Sequence, residues 1–231
     1  MIVLGIETSG DTGSVAVCRD EALLAEHSFG RGARHARHIV PAVDEVVRKA
    51  GIGKRDIGAV AVSQGPGSFT GLRVGVTCAK TLAYALGAKL VGVPSLEVLA
   101  QNAAPAEGDG GRFACPLQDA RRGRVYGTIF EWDGAEWRDL TGVLLEPPAD
   151  LAGRIPPGAL VFGSGVRAYP EHFDQARFRV GGTELETGRG EAVARLGLRR
   201  IRAGHESDPM ELKPLYYRLT EAEEKLQAAG P

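Results

Sequence analysis

A chain of 231 residues, 43% hydrophobic and 25% charged, is long enough for one large domain or two lobes with separate cores, and its composition is that of an ordinary globular protein. Its 28 Lys and Arg balance 29 Asp and Glu, so the net charge of −1 excludes a global pull toward nucleic acid, and any RNA role is expected to run through a partner. Cys18, Cys78 and Cys115 lie far apart with no CxxC pair, which excludes a disulfide framework and a thiolate metal site; no apolar run approaches the roughly 20 residues of a membrane span, and Glu7 interrupts the N-terminal apolar run before a signal-peptide core forms, so a cytoplasmic protein without membrane contact is expected.

Residues 2–6 read as an apolar strand, 7–13 as a polar turn and 14–18 as a second strand, with a third around 22–28. The turn carries Thr8 and Ser9, whose hydroxyls and N–H groups suit a phosphate; turn chemistry alone accounts for them equally well. Residues 30–38, GRGARHARH, form a basic loop in which His35 and His38 are spaced to meet on one helical turn. No third ligand accompanies them, so no metal site is expected. Ile39, Val43, Val46, Val47 and Ala50 fall on one stripe, which predicts an amphipathic helix over 39–50 with Pro41 in its first turn and Gly51 as its stop.

The next apolar strand, 57–62, runs into Gly65-Pro66-Gly67-Ser68-Phe69-Thr70-Gly71-Leu72-Arg73-Val74-Gly75, which opens a helix ending near Gly87. A glycine loop ahead of a helix suggests a phosphate cradle, yet the Lys-Ser/Thr of a P-loop is absent and the glycines are spaced GxGxxxG rather than GxGxxG. Gly71, Gly75, Ala79 and Ala83 recur every fourth residue and form one slanting ridge of small side chains. Such a ridge either receives a helix of another chain or packs against its own sheet; both readings stay open.

Residues 89–93 predict a strand and Ser95 caps a following helix. Residues 104–111 are rich in Ala, Gly and Pro and mark a lobe boundary. A first lobe over 1–104 and a second over 105–209 are expected, with 210–231 returning to the first. In the second lobe, strands over 113–117 and 124–132 enclose a turn with Arg121, Arg122 and Arg124, which either grips an anion or is solvated. The strand over 160–162 enters Gly163-Ser164-Gly165, another candidate phosphate turn, and 191–203 form a helix whose Arg195, Arg199 and Arg202 make a solvated face. Alternating strands and helices give an α/β class.

Four segments stand together: LGIETSGDTGSVAV at the start, GPGSFTGLRVG, QDARRGRVY and the late PLYYR. Their combination resembles the TsaB (YeaZ) family over nearly the whole chain, with GPGSFTGLR the most specific part. The resemblance implies the two-lobed actin/sugar kinase/Hsp70-like (ASKHA) fold, with mixed sheets flanked by helices. It further implies a noncatalytic scaffold that binds a TsaD-type catalytic subunit and, with it, a TsaE-type ATPase. The complex would transfer a threonylcarbamoyl group to the adenosine beside the anticodon of tRNAs reading codons that begin with A; tRNA is met only indirectly, and the isolated chain can form a homodimer through the same surface. The expected docking residues are Gly67, Phe69, Thr70, Gly71, Arg73, Gly75, Ala79 and Ala83, with Val43 and Val47 of the 39–50 helix. A bulky residue at Gly75 is expected to abolish docking and leave the fold cooperative.

The TsaD paralogue carries an HxxxH metal motif whose two histidine places are Ser95 and Leu99 here, and neither a neutral hydroxyl nor an alkyl chain substitutes for imidazole. By the same resemblance, Thr8, Ser9, Gly163 and Gly165 are the candidates for weak ATP or ADP binding, with no cofactor required. Glu7 stands where kinases and ATPases of the superfamily place an Asp. The alternative is an autonomous ATPase or small-molecule kinase of the same fold.

Overall fold

Apolar runs at the N-terminus pair into a meander of β1 (Ile2–Glu7), β2 (Thr12–Arg19) and β3 (Ala22–Arg31), all antiparallel. The computed structural model describes residues 1–31, 35–103 and 112–218; the lobe boundary expected over 104–111, the terminal residues 219–231 and the His35 side chain lie outside them. Helix α1 (His35–Lys49), β4 (Ile57–Gly65), α2 (Phe69–Leu86) and β5 (Lys89–Pro94) follow, giving a five-stranded sheet in the order β3-β2-β1-β4-β5 with β4 and β5 parallel to β1. Helix α1 begins ahead of the expected residue 39, so Pro41 falls inside it rather than in its first turn.

Alternation along the strands decides which side of this sheet each residue serves. Leu4, Ile6, Val15, Val17, Val60 and Val62 face α1 and α2, where Ile39, Val43, Val46 and Val47 meet Val76, Ala79 and Ala83. Val3, Ala59, Ala61, Val91 and Val93 face the opposite side.

Helix α3 (Ser95–Ala100) leads to the second sheet, built from β6 (Phe113–Asp119), β7 (Val125–Gly127), β8 (Phe130–Trp132), β9 (Trp137–Asp139), β10 (Leu144–Glu146), β11 (Leu160–Phe162) and β12 (Arg179–Val180). Its main path is β10-β7-β6-β11-β12, with β8 on β6 and β9 on β8. Helix α4 (Pro148–Arg154) covers one part of it through Leu151 and Ala152, and α5 (Ser164–Ala168) lies against β6 and β11. Leu96, Leu99 and Ala100 of α3 pack with Phe130, Trp137 and Phe162.

Helix α6 (Gly190–Arg202) returns the chain to the far side of the first sheet, ahead of the 210 expected from sequence. It lies very close to the strands. A Cβ on Gly5 would stand 2.1 Å from the Gly190 carbonyl oxygen, and one on Gly197 would stand 2.3 Å from the Ala61 Cβ. Ser14 Oγ and Glu26 Oε1 accept the N–H groups of Gly190 and Glu191 at 3.1 Å each, satisfying donors that a helix start leaves without partners. On its outer face Arg199 and Arg202 meet Glu136 and Asp20 in exposed pairs worth at most about 1 kcal/mol apiece, and Arg195 pairs with the largely buried carboxylate of Glu191. After α6 the chain runs along the first sheet, with Ser207 N donating to Leu90 O at 2.8 Å and Leu215 N to Gln64 O at 2.7 Å. No helix among the described residues is long and apolar enough to cross a membrane.

Candidate functional site

The glycine loop between β4 and α2 is held from two sides. Gly65 and Gly67 have φ of 121° and 155°, a region closed to most residues with a side chain. A Cβ on Gly65 would lie 2.5 Å from Leu215 O and one on Gly67 would lie 2.4 Å from Ser9 O. Ser68 N donates to Ser9 O at 2.8 Å, and Ser68 Oγ caps α2 by accepting from Gly71 N at 3.2 Å. The loop is thus a joint between the first hairpin, α2 and the C-terminal segment, and its glycines serve close backbone packing.

The same packing reassigns the small-residue ridge. Gly71, Gly75, Ala79 and Ala83 are all buried within this chain, and a Cβ on Gly75 would stand 2.1 Å from Thr8 Oγ1. Val43 and Val47 are also buried, in the core beneath α1. These six residues are thus buried, and the small-residue ridge lets α2 settle onto its own sheet. Of the remaining expected contacts, Phe69, Thr70 and Arg73 are exposed and Gly67 is half-buried.

One step around α2, a second row repeats every fourth residue: Val74, Cys78 and Leu82. With Ala36 and Val40 of α1 and Arg73 at one edge, it lines a groove of about 460 Å³ between the two helices. Val40 is 59% exposed, a large apolar residue turned outward on a helix whose opposite face fills the core. Sequence reasoning passed over this row because it sought the smallest side chains, and the helical repeat that reveals one row reveals its neighbour as well.

The first hairpin closes inward. Thr8 is fully buried, its N–H donates to Ser63 Oγ at 3.1 Å, and its Oγ1 has no hydrogen-bond partner among the described residues. Ser9 N and Oγ both donate to Glu7 Oε1, at 2.5 and 2.6 Å. The N–H groups of Thr8 and Ser9 are therefore used inside the fold. Gly163 and Gly165 are likewise buried, and a Cβ on either would strike Leu117 of β6, at 2.2 Å from its O and 2.9 Å from its Cβ. Tight packing on β6 accounts for both glycines.

Glu7 is a buried carboxyl whose pKa is raised by burial, against the opposing pull of its hydrogen bonds from Ser9. Hydrogen bonds from Ser63 and from the Gly10 N–H add to that pull. Because the folded pKa is raised, protonation favours the folded state: as pH rises above the ordinary value of 4.5, the unfolded chain ionises while the folded one resists, and stability falls until the raised pKa is passed. Glu7→Gln retains the acceptor for Ser9 and removes the ionisation. The stability of Glu7→Gln relative to wild type should therefore increase from pH 4.5 to pH 7 in urea titrations; a pH-independent difference would show that Glu7 does not titrate in this way.

The two places that the resemblance equates with metal-binding histidines are both occupied by the core. Ser95 is fully buried and its Oγ accepts from Gly65 N at 3.1 Å, while Leu99 is packed with Leu96 and Phe130. The β6–β7 turn carries Arg121, Arg122 and Arg124 on the surface.

Comparison with known proteins matches residues 31–195 to the family profile described as TsaD, tRNA N6-adenosine threonylcarbamoyltransferase. The TsaB protein of Escherichia coli (strain K12), a tRNA threonylcarbamoyladenosine biosynthesis protein, is 30% identical over 179 residues, covering 74% of each chain. The chain belongs to the TsaB/YeaZ family. The family's Bacillus subtilis (strain 168) member is 36% identical over 132 residues, covering 57% of this chain and 56% of that protein. A crystal structure from Pseudomonas aeruginosa, described as similar to peptidase YeaZ, superposes with a TM-score of 0.81 at 24% identity, covering 94% of this chain and 99% of the other. The two structures share one mixed α/β fold, with two sheets flanked by helices.

Proposed function

We propose that this chain is a noncatalytic subunit in tRNA threonylcarbamoyladenosine biosynthesis that binds a TsaD-type catalytic subunit through the α1–α2 groove, with a TsaE-type ATPase joining the pair. Family membership supports the pathway. The observation that carries the docking assignment is the groove itself: an apolar trough between two helices, with Val40 turned outward at its edge. Helical faces of this kind pack readily against the helices of a second protein. The noncatalytic reading rests on Ser95 and Leu99, which supply no imidazole and face inward. In this reading the complex modifies the adenosine beside the anticodon of tRNAs that read codons beginning with A, in the cytoplasm, and the isolated chain self-associates through the same groove.

The test is co-purification of this chain with its genome's TsaD-type protein. Val40→Asp places a charge on an exposed position, so it should change stability by no more than about 0.5 kcal/mol. In a desolvated interface the same carboxylate should weaken binding by about 2 kcal/mol or more, roughly thirtyfold. Unchanged capture of the TsaD-type protein by the variant would refute the groove assignment. For the rival reading as an autonomous ATPase or kinase, phosphate release by the purified chain is the discriminating assay, and none is expected, since the N–H groups of Thr8 and Ser9 are already bonded within the fold.

A further inference from the structure

A stripe of exposed aromatic rings and arginines runs where the C-terminal segment passes from the first sheet to the second. Phe69, Tyr216 and Tyr217 are 39%, 43% and 38% exposed. The Phe69 and Tyr216 rings lie 4.7 Å apart, the Arg73 guanidinium sits 4.0 Å above Phe69, and Arg73 Nε donates to the Tyr216 hydroxyl at 3.0 Å. Tyr217 meets Tyr126 edge-on at 6.3 Å. The next residue, Arg218, donates through Nη1 to the carbonyls of Ala120 and Arg121 at 2.6 and 3.2 Å, which joins the rings to the arginine turn between β6 and β7.

That turn is held in an unusual backbone conformation. Arg121 and Arg122 have φ of 63° and 53°, the left-handed region that residues with side chains rarely adopt. Asp119 Oδ1 accepts from Arg121 N at 2.8 Å and the Tyr169 hydroxyl accepts from Gly123 N at 3.2 Å, so the surrounding groups fix the turn. The turn carries its arginines on the surface; the Arg121 side chain is 83% exposed, and its Nη1 meets Asp119 Oδ2 at 3.3 Å. In a chain of net charge −1 this is a local concentration of positive charge beside aromatic faces.

Aromatic faces accept unpaired bases by stacking, and guanidinium groups accept phosphates; the two together suit a single strand better than a duplex, whose bases are already stacked. We infer that this stripe binds single-stranded RNA directly, with bases on Tyr216 and Tyr217 and phosphates on Arg121 and Arg124. The choice of RNA rests on the tRNA-modification reading above. The inference goes beyond that reading, in which tRNA is met only through the partner subunit.

The experiment is fluorescence anisotropy of the full chain with a labelled single-stranded RNA of about 10 nucleotides and with a duplex of the same sequence, titrated between about 50 and 200 mM salt. The single strand should bind more tightly than the duplex. Tyr216→Leu with Tyr217→Leu should weaken single-strand binding about tenfold or more, whereas the paired Phe substitutions, which keep the rings, should bind as wild type does. Arg121→Gln with Arg124→Gln should reduce the slope of log affinity against log salt by about 1.4, the loss of two phosphate contacts on a single strand. Melting curves check that each variant is folded; if the leucine pair is not, the arginine pair on its exposed turn still decides. No anisotropy change at low salt, or binding indifferent to both pairs, overturns the inference. So does loss of TsaD-type partner capture by the leucine pair with RNA binding intact, which would assign the stripe to a protein contact. Since Val40→Asp tests the groove separately, failure of RNA binding leaves the docking proposal standing, and failure of docking leaves this one.

Discussion

Gly5→Ala is expected to lower the melting temperature by about 6–12 °C, although it adds a single methyl group to the middle of a strand. The added Cβ would stand 2.1 Å from Gly190 O, 2.6 Å from Ala194 N and 2.9 Å from Ala194 Cβ. Two of these are backbone atoms of α6, so no side-chain rotation relieves the overlap and the helix must move off the sheet. That motion would loosen the packing of Val193, Leu196 and Leu198 and strain the Gly190 N–H bond to Ser14. Overpacking of this kind costs about 3 kcal/mol, and for a chain of this size each kcal/mol is worth about 2–4 °C. Gly153→Ala is the matched control: Gly153 lies in α4 with nothing within 4 Å of its would-be Cβ, and the change should be neutral or stabilising by up to about 1 kcal/mol. Thermal unfolding followed by circular dichroism measures both. Equal melting temperatures for Gly5→Ala and wild type would mean that α6 does not seat on β1 as described.

Gly75→Leu should behave differently from the expectation that the small-residue ridge alone suggests. Viewed as a docking ridge, the position would tolerate leucine and lose only its partner. In the structure, Gly75 faces Thr8, with the would-be Cβ 2.1 Å from Oγ1 and 3.3 Å from the Thr8 Cβ. Thr8 is itself fully buried and its backbone N–H is bonded to Ser63 Oγ, so the space for it to yield is small. A leucine there must push α2 away from the hairpin tip, at a cost above the roughly 1–3 kcal/mol of ordinary overpacking. We expect a fall in melting temperature of about 10 °C or more, or loss of a cooperative transition altogether. Partner binding would then disappear as a consequence of unfolding. Comparison with Val40→Asp separates the two cases, since that substitution should weaken binding and preserve the melting curve. A Gly75→Leu protein that melts like wild type yet fails to bind would restore the ridge as the docking surface.

Much of the architecture was readable from local pattern. The apolar runs at residues 2–6, 14–18, 57–62 and 89–93 are strands of the first sheet, and the stripe of Ile39, Val43, Val46 and Val47 does face the core. The helix after the glycine loop begins at Phe69 and ends before Gly87, whose φ of 63° makes the left-handed cap that glycine favours. The start of α1 was less readable, because GRGARHARH has the composition of a loop and none of residues 36–38 is buried. The segment from Gly190 to Arg202 was recognisable as a helix, but its partner was not: its glycines and alanines fit the first sheet through contacts with residues remote in the chain, such as Gly5 and Ala61.

By itself the sequence determined the alternation of strands and helices, the places where the chain turns, the absence of P-loop and dinucleotide spacing, and the combination of segments that marks the TsaB/YeaZ family. These are local properties, set by periodicity and by the conformations open to glycine and proline. Only the tertiary structure decided which of two neighbouring rows on α2 meets the sheet and which lines the groove, and whether the hydrogen-bonding groups of Thr8 and Ser9 point outward or into the fold. The physical reason is that a helical repeat specifies that rows exist without specifying what lies opposite them. Thr8 against Gly75 and Gly190 against Gly5 bring together residues far apart in sequence, and those contacts settle which surfaces remain for a partner.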